Sequence, residues 1–411
     1  MIQQPTDSEK HREINWTGLG FGLSLAILAA YQQLKLPPVL PILIESYGFS
    51  RILAGGFVSI YALCGLLLSL RLGSIMQRHG TTALLNLAFL LFAGAAAAMM
   101  LWPEQGWLFL GARAIEGVAF AILAIAGPAI CTANGGTRGL AISSALIATW
   151  IPVGALIANL MTVGLVEWAG WRALWWVGIG ATAAMALWTA RVRRTRQVRL
   201  GGVPARDAAA ALALPAQGNA PRRMLILGAL LFTLWSVQMF AYFTWLPDYL
   251  VDIYGQTPRV AASLYMIPMA VLAAFNLVAV PVLRAGVPVA VLLAVAIGVQ
   301  ASVWFLLPFL DPVSAGIAAF VVFAAAAGIA PTCLFALPGT IFGVDNAGSR
   351  AFGVLMTGRN LGVLCGPLLT GALVQLTGGW HLVPYALGTL GVAAAAGALA
   401  LHVGLRRLQR P

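Results

Sequence analysis

Long apolar segments alternate with short polar stretches along the whole chain. An α-helix needs roughly 20 residues to cross about 30 Å of hydrocarbon, and most of the segments reach that length. Turn residues and charges divide the chain into twelve predicted spans, at 16–44, 52–71, 81–101, 107–131, 140–165, 172–190, 224–247, 260–283, 288–308, 313–336, 351–376 and 382–404. The pattern therefore predicts an all-α membrane protein with twelve transmembrane helices.

Composition restricts the class of protein further. The 411 residues are 61% hydrophobic and 9% charged, whereas a soluble domain carries about 25% charged residues. The net charge of +12 is spread over short loops instead of forming one basic stripe, which disfavours nucleic-acid binding. The chain is therefore expected to lie in a bilayer.

The lysines and arginines are distributed unevenly between the two ends of the predicted spans. Most of them fall on one side, while only Arg51, Arg172 and Arg259 fall at the loops of the other side. Loops that stay in the cytoplasm show this excess of basic residues. The asymmetry predicts cytoplasmic tails at 1–15 and 405–411 in a protein of the bacterial inner membrane.

One long hydrophilic interruption divides the predicted spans into two groups of six. It covers 191–223, starts with five arginines and continues with an Ala/Pro/Gly stretch. It predicts an N-terminal half at 16–190 and a C-terminal half at 224–404. We interpret the interruption as a basic cytoplasmic linker that lies on anionic lipid headgroups, with regulatory lipid or protein binding as the alternative.

The two predicted halves share short sequence patterns. Leu40-Pro41, Tyr47-Gly48 and Arg51 recur as Leu246-Pro247, Tyr254-Gly255 and Arg259, and Gly164–Trp171 is echoed at Ala372–Trp380. Both echoes have an offset of about 207 residues, as expected of a duplicated unit. Duplicated halves predict two pseudo-symmetric six-helix bundles around a central site, an arrangement that many secondary transporters use.

Two motifs resemble those of the major facilitator superfamily. Gly73–Gly80 resembles the loop between that family's helices 2 and 3, written G-x-L-A-D-R-x-G, with Gln77 in place of Asp. Arg113–Gly117 resembles its R-x-x-Q-G pattern in helix 4, with Glu116 in place of Gln. The resemblance covers the whole chain and implies a transporter that works by alternating access.

Shorter similarities indicate a branch within that family. Tyr242–Leu250 resembles the aromatic-x-x-W-L-P segment of the cyanate and nitroimidazole transporters, and 362–367 with 377–380 resembles their helix 11. An embedded Arg359 is instead similar to the helix-11 cation of oxalate/formate exchangers. Both resemblances imply a small anion as the substrate.

Four ionisable side chains are predicted to be embedded in the spans: Lys35, Arg113, Glu116 and Arg359. Charged groups at bilayer depth cost at least a few kcal/mol, so they ordinarily face a cavity and serve function. Three cations against one carboxylate leave an excess of two positive charges. This excess predicts a small organic or inorganic anion as the solute, held by Lys35, Arg113 and Arg359.

Each of these charges also has a structural interpretation that the sequence leaves open. Arg113 and Glu116 are three residues apart and pair on one helix face, either as a lock between helices or with Glu116 as a proton-coupling group. Lys35 and Arg359 either face the cavity or extend to the headgroups.

Three aromatic residues, Tyr31, Tyr242 and Trp245, are further candidates for substrate contact. Seven tryptophans near the span ends are also interpreted as anchors at the headgroup level: Trp16, Trp102, Trp107, Trp168, Trp171, Trp245 and Trp380. Four glycines of span 11, Gly353, Gly358, Gly362 and Gly366, are expected to permit close helix contact.

The expected activity is secondary active transport of a small anion, with protons as a possible coupling ion. The alternative is proton-coupled export of hydrophobic drugs or zwitterions. Enzymes need a nucleophile with a base, clustered acids or metal ligands, and the sequence shows no such set. It also shows no nucleotide-binding glycine motif, so no enzyme activity, cofactor or metal is expected, and a monomer is the expected state.

Overall fold

The computed structural model describes residues 14–135, 146–147, 149–200, 219–342 and 349–408, and every regular element in these ranges is helical. The predicted all-α membrane fold is confirmed. Eleven helices in the described part of the chain are long and apolar enough to cross a membrane. The first tail up to residue 13, most of the predicted linker and residues 409–411 lie outside the described ranges.

Twelve helical spans follow one another along the described chain. The first, α1 (Trp16–Tyr47), is interrupted: Trp16–Leu34 and Leu40–Tyr47 are α-helical and Pro37–Val39 forms a 3-10 turn. The others are α2 (Arg51–His79), α3 (Thr81–Leu101), α4 (Gly106–Gly135), α5 (Trp150–Ala169), α6 (Arg172–Thr195), α7 (Asn219–Asp252), α8 (Pro258–Arg284), α9 (Val289–Leu306), α10 (Val313–Phe342), α11 (Ser349–Thr377) and α12 (Val383–Leu408).

The helix ends define two faces of the bundle. We call the terminal face the end where α1 starts and α4 and α6 stop. There Asn15 donates to the Gln197 carbonyl (2.6 Å) and Asn134 donates to the Arg199 carbonyl (2.8 Å). We call the far face the other end, where α1 stops, α2 starts and α7 stops.

The turn after α1 is repeated after α7 on the far face. Gly48 (φ +66°) and Gly255 (φ +61°) adopt the left-handed conformation that glycine tolerates. Two residues after each glycine, Ser50 and Thr257 cap the next helix by accepting a hydrogen bond from its backbone. The sequence echo at Tyr47-Gly48 and Tyr254-Gly255 therefore encodes the same turn twice.

The helix contacts also repeat between the first six and the last six helices. In the first six, α1 packs on α4 and α5, α2 on α4, and α3 on α4 and α6; in the last six, α7 packs on α10 and α11, α8 on α10, and α9 on α10 and α12. Contacts between the two groups run mainly through α2 with α11 and through α5 with α8. Because α2 corresponds to α8 and α5 corresponds to α11, the two contacts are equivalent, as in a pseudo-two-fold arrangement.

The predicted loop at Gly73–Gly80 is wrong in extent. Helix α2 continues through this stretch to His79, and Gly80 alone (φ +83°) turns the chain into α3. Glycine inside a helix lowers helix propensity but does not stop a helix. The side chains of Gln77 and Arg78 lie outside the described part of the structure.

Three tryptophans are buried, although the sequence placed them at the headgroup level. Trp171, Trp245 and Trp380 pack inside the protein at the far face. Trp245 donates to the Pro367 carbonyl (2.9 Å), so its polar N–H is satisfied without water. The anchor interpretation is therefore wrong for these three residues, because tertiary packing covers the span ends on which they lie.

Glycines bring α11 against α7. A Cβ atom added at Gly366 would lie 2.5 Å from the Val237 carbonyl oxygen, and added Cβ atoms at Gly358 and Gly362 would also contact the α7 backbone. The expected role of these three glycines in close helix contact is confirmed. The side-chain position of Gly353 lies outside the described part.

We expect Gly366→Ala to lower the thermal unfolding midpoint of the detergent-purified protein, because the added methyl group forces α11 away from α7. The expected cost is about 1–3 kcal/mol. Gly94→Ala is the matched control, since a Cβ there meets no atom within 4 Å. Equal midpoints for the two variants would contradict the close packing.

Candidate functional site

The break in α1 prepares a polar site inside the first six helices. Proline at position 37 has no N–H, so the Gln33 carbonyl lacks its normal helical donor four residues on. Water is scarce at bilayer depth, and an unpaired carbonyl there costs several kcal/mol. A donor from another helix is therefore required at this point.

Arg113 of α4 supplies that donor. Its Nη2 donates to the Gln33 carbonyl (3.1 Å), its Nη1 to the Gln32 carbonyl (3.1 Å) and its Nε to the Phe57 carbonyl (3.0 Å). The guanidinium also stacks on the ring of Tyr61, 4.1 Å from the ring centre. Arg113 thus ties α4 to α1 and α2, and it is fully buried.

Glu116 lies one turn after Arg113 and joins two cations. Its Oε2 accepts from Arg113 (2.6 Å) and from the Tyr61 hydroxyl (2.6 Å), and its Oε1 accepts from Lys35 (2.9 Å). All three charged side chains have 0% exposure. We call Lys35, Arg113 and Glu116 the charge triad.

Lys35 does not extend to the headgroups. Besides Glu116, its ammonium donates to Gln32 Oε1 (2.6 Å) and lies 4.7 Å from the ring centre of Trp175. Gln32 is itself oriented by α6, since its Nε2 donates to the Gly178 carbonyl (3.2 Å) and to Thr182 (3.1 Å). Residues of α1, α2, α4 and α6 therefore form the triad or contact it.

The triad leaves one positive charge uncompensated, because two cations share one carboxylate. A buried pair is expensive to break, since the partner that remains keeps its desolvation penalty. Every hydrogen-bonding nitrogen of Arg113 already has an acceptor in this conformation. Arg113 therefore acts as a structural link between helices here, and the excess charge falls on Lys35.

Arg359 lies on α11, away from the contacts of the triad. It donates to Asn360 Oδ1 (3.2 Å), and its guanidinium carbon is 5.4 Å from the ring centre of Phe240 on α7. A Cβ added at Gly65 of α2 would lie 3.9 Å from Asn360, which places this part of α11 at the boundary of the two halves. Among the described residues no carboxylate lies within ion-pair distance of Arg359.

The three aromatic candidates lie in two separate places. Tyr31, near the triad, donates to the Leu174 carbonyl (2.8 Å). Tyr242 and Trp245 of α7 line a small apolar pocket in the last six helices, with a volume of about 20 Å³, close to that of one water molecule. This pocket is distinct from the charge triad and too small for a solute in this conformation.

Sequence reasoning missed two acidic residues at the end of α7. Asp248 is almost fully buried (2% exposed), and Asp252 lies one turn further on. Arg51 of α2 donates to Asp248 (3.2 Å) and also bonds Asp252. The signal was present, since the two acids have helical i, i+4 spacing and Arg51 belongs to the repeated pattern.

The charge triad predicts an asymmetry between two variants. Glu116→Gln leaves two buried cations without a counter-charge and is expected to destabilise the protein by about 3–5 kcal/mol. Lys35→Met leaves the Arg113–Glu116 pair neutral and should cost less. Thermal unfolding midpoints of the purified variants measure both effects.

The double variant Lys35→Met/Glu116→Gln provides the control for this asymmetry. Its loss should be smaller than the sum of the single losses, because removing Lys35 relieves the repulsion that Glu116→Gln creates. Strictly additive losses, or a larger loss for Lys35→Met than for Glu116→Gln, would contradict the arrangement.

Comparisons with known proteins agree with this architecture. The family model described as Major Facilitator Superfamily matches residues 20–350. No curated protein sequence matches the chain. The crystal structure of a D-xylose-proton symporter superposes with a TM-score of 0.70 at 15% identity, over 94% of this chain and 97% of that one.

At that identity the structural similarity shows the fold alone, while the family model spans more than half of the chain. Both the sequence match and the twelve-helix arrangement lead to one assignment: the chain belongs to the Major Facilitator Superfamily, whose members are transporters.

Proposed function

We propose that this protein carries a small organic or inorganic anion across the membrane by alternating access between its two six-helix halves. The observation that carries the proposal is Arg359, a cation on α11 without a carboxylate partner among the described residues. It lies ten residues after Ser349, about 15 Å along the helix. A charge at that depth costs at least a few kcal/mol, and an anionic solute offsets the cost.

The place of Arg359 suits a solute that both halves enclose. Helix α11 packs on α7 of its own half and on α2 of the other half. An anion next to Arg359 accordingly lies where the halves meet. A guanidinium holds planar anions such as carboxylates with two parallel hydrogen bonds.

The charge triad adds one further positive charge on the other side of α2. Lys35 and Arg113 remain proposed substrate contacts, but they require the first half to rearrange, because Glu116 and the α1 carbonyls occupy their donors here. Tyr31, Tyr242 and Trp245 likewise remain proposed contacts. A proton-coupling role for Glu116 stays a prediction.

The polar contacts between described residues of the two halves lie at the far face. The structure therefore represents a state closed at that face. We propose that the terminal face is cytoplasmic in a bacterial inner membrane, as the basic residues near it favour.

A ligand screen tests the substrate class. Purified protein is heated with formate, oxalate, nitrate or cyanate, with D-xylose as a neutral solute and with tetraphenylphosphonium as a hydrophobic cation. An anion that binds the folded form should raise the unfolding midpoint, by about 2.7 kcal/mol of stability at 100 times its Kd. A shift with D-xylose or tetraphenylphosphonium and with none of the anions would overturn the proposed class.

Uptake in proteoliposomes tests the role of Arg359. With the anion that the screen identifies, Arg359→Ala should lower uptake by about 10- to 100-fold, the loss expected for one charged hydrogen bond. Arg359→Lys keeps the charge and should retain part of the activity. Arg284→Ala, at an exposed arginine that ends α8, is the control and should transport normally; undiminished uptake by Arg359→Ala would refute the role.

A further inference from the structure

Two charged contacts join the halves at the far face. In the first, Arg51 of α2 binds Asp248 and Asp252 of α7, and in the second, Arg259 of α8 binds Glu167 of α5. Because α2 and α8 are equivalent helices of the two halves, the arginines are related by the internal repeat. We call these contacts the first and the second arm.

The two arms differ in their surroundings. Arg259 and Glu167 have side-chain exposures of 54% and 62%, so water screens their attraction. In the first arm Asp248 is sheltered, with 3% exposure, while Arg51 is 28% and Asp252 is 34% exposed. The residue that repeats Glu167 in the second half is Gln375, a neutral side chain that accepts from the Ile52 backbone (3.2 Å).

The first arm also has an unbalanced charge. Two carboxylates, one helical turn apart, share the single guanidinium of Arg51. The Trp380 indole donates to Asp252 (2.9 Å), whereas Asp248 receives only the 3.2 Å bond from Arg51. Asp252 is 34% exposed and has two partners, so the negative charge that Arg51 does not balance falls on the almost fully buried Asp248, which is costly in a medium of low polarity.

No second cation reaches this pair among the described residues. The ionisable side chains at this face on the neighbouring segments include Glu45 of α1, Tyr249 of α7, Tyr254 after α7, Arg259 of α8, Asp311 before α10 and His381 before α12. Arg259 is paired with Glu167 in the second arm. Glu45 and Asp311 add negative charge, and His381 is exposed. Among the described residues, Arg51 is the one ion-pair partner of either aspartate.

We propose that Asp248, beside the Arg51–Asp252 pair, binds one proton when the far face closes, and that this site couples the transport cycle to protons. The inference rests on the proposed alternating-access transport. In the closed state Arg51 pairs with Asp252 while Asp248 carries the proton, so the first arm is neutral.

Opening of the far face reverses this binding. When α2 and α7 separate, Asp248 also meets water, where an aspartate is ionised at neutral pH, and the proton leaves to solvent. The closed form holds one more proton than the open form. Falling pH therefore favours closure of the far face, and rising pH favours its opening.

The charge triad is a poorer place for this proton. Glu116 already has two cationic partners and a tyrosine hydroxyl, and a proton on it would leave two buried cations without a counter-charge. A proton on the aspartate pair removes an excess charge, whereas a proton on Glu116 creates one. Charge balance thus favours the far face.

Distance measurements by pulsed electron spin resonance test the inference. Nitroxide labels are placed at Gln105→Cys, before α4, and Ser314→Cys, in the first turn of α10, with the four native cysteines changed to alanine. Both positions are exposed on the far side of opposite halves. As the pH rises from about 5 to about 9, the population with a long distance between the two labels should grow. The ratio of closed to open molecules should fall by at most about tenfold per pH unit.

Two substitutions locate the proton. Asp248→Asn mimics the protonated carboxyl group, so the short distance should persist across the pH range, and Asp252→Asn should act in the same direction. Glu167→Gln, in the exposed second arm, is the matched control and should retain the pH response of the parent. Monodisperse elution in size-exclusion chromatography confirms that each variant is folded.

The inference is overturned if the parent shows the same distances at both ends of the pH range, or if both asparagine variants respond to pH like the parent. A parent that responds through Asp248 but transports no anion would instead contradict the proposed function. An anion carrier with pH-independent distances would contradict only the proton site.

Discussion

The first half depends on one buried carboxylate. Glu116 holds Lys35 and Arg113 at a point where Pro37 has interrupted α1 and removed a backbone donor. Water is scarce at that depth, so the donor must come from a side chain, and the cation that supplies it needs a counter-charge. The helix break at Pro37 requires a side-chain donor, which Arg113 supplies, and the buried charge of Arg113 in turn requires Glu116.

The same constraint separates the roles of the two halves. The triad is enclosed by helices of the first half, and its hydrogen bonds hold α1, α2, α4 and α6 together. Arg359 of the second half has a single hydrogen-bond partner among the described residues, Asn360, and Asn360 lies near Gly65 of α2. A repeated fold thus carries cations that are paired with a carboxylate in one half and a cation without a carboxylate partner among the described residues in the other.

The sequence predicted the spans well because membrane helices have a strong signal in length and polarity. It failed at Gly73–Gly80 and at Trp171, Trp245 and Trp380, where local residue preferences compete with packing. It found Lys35, Arg113, Glu116 and Arg359 because charge inside an apolar segment is conspicuous. Asp248 was missed, since it lies at the end of a span and its partner, Arg51 of α2, is distant in sequence.

Hydrophobic length, loop charge and the internal echo determined by themselves that this chain is a twelve-helix membrane protein with two related halves. Tertiary structure alone decided that Lys35 and Arg113 share Glu116, that Arg359 lies apart from them, and that Arg51 meets Asp248 and Asp252 across the halves. The physical reason is the separation in sequence between the residues that determine each property. Segment polarity is set by residues close in the chain, whereas charge compensation depends on side chains that are distant in sequence and brought together only by helix packing.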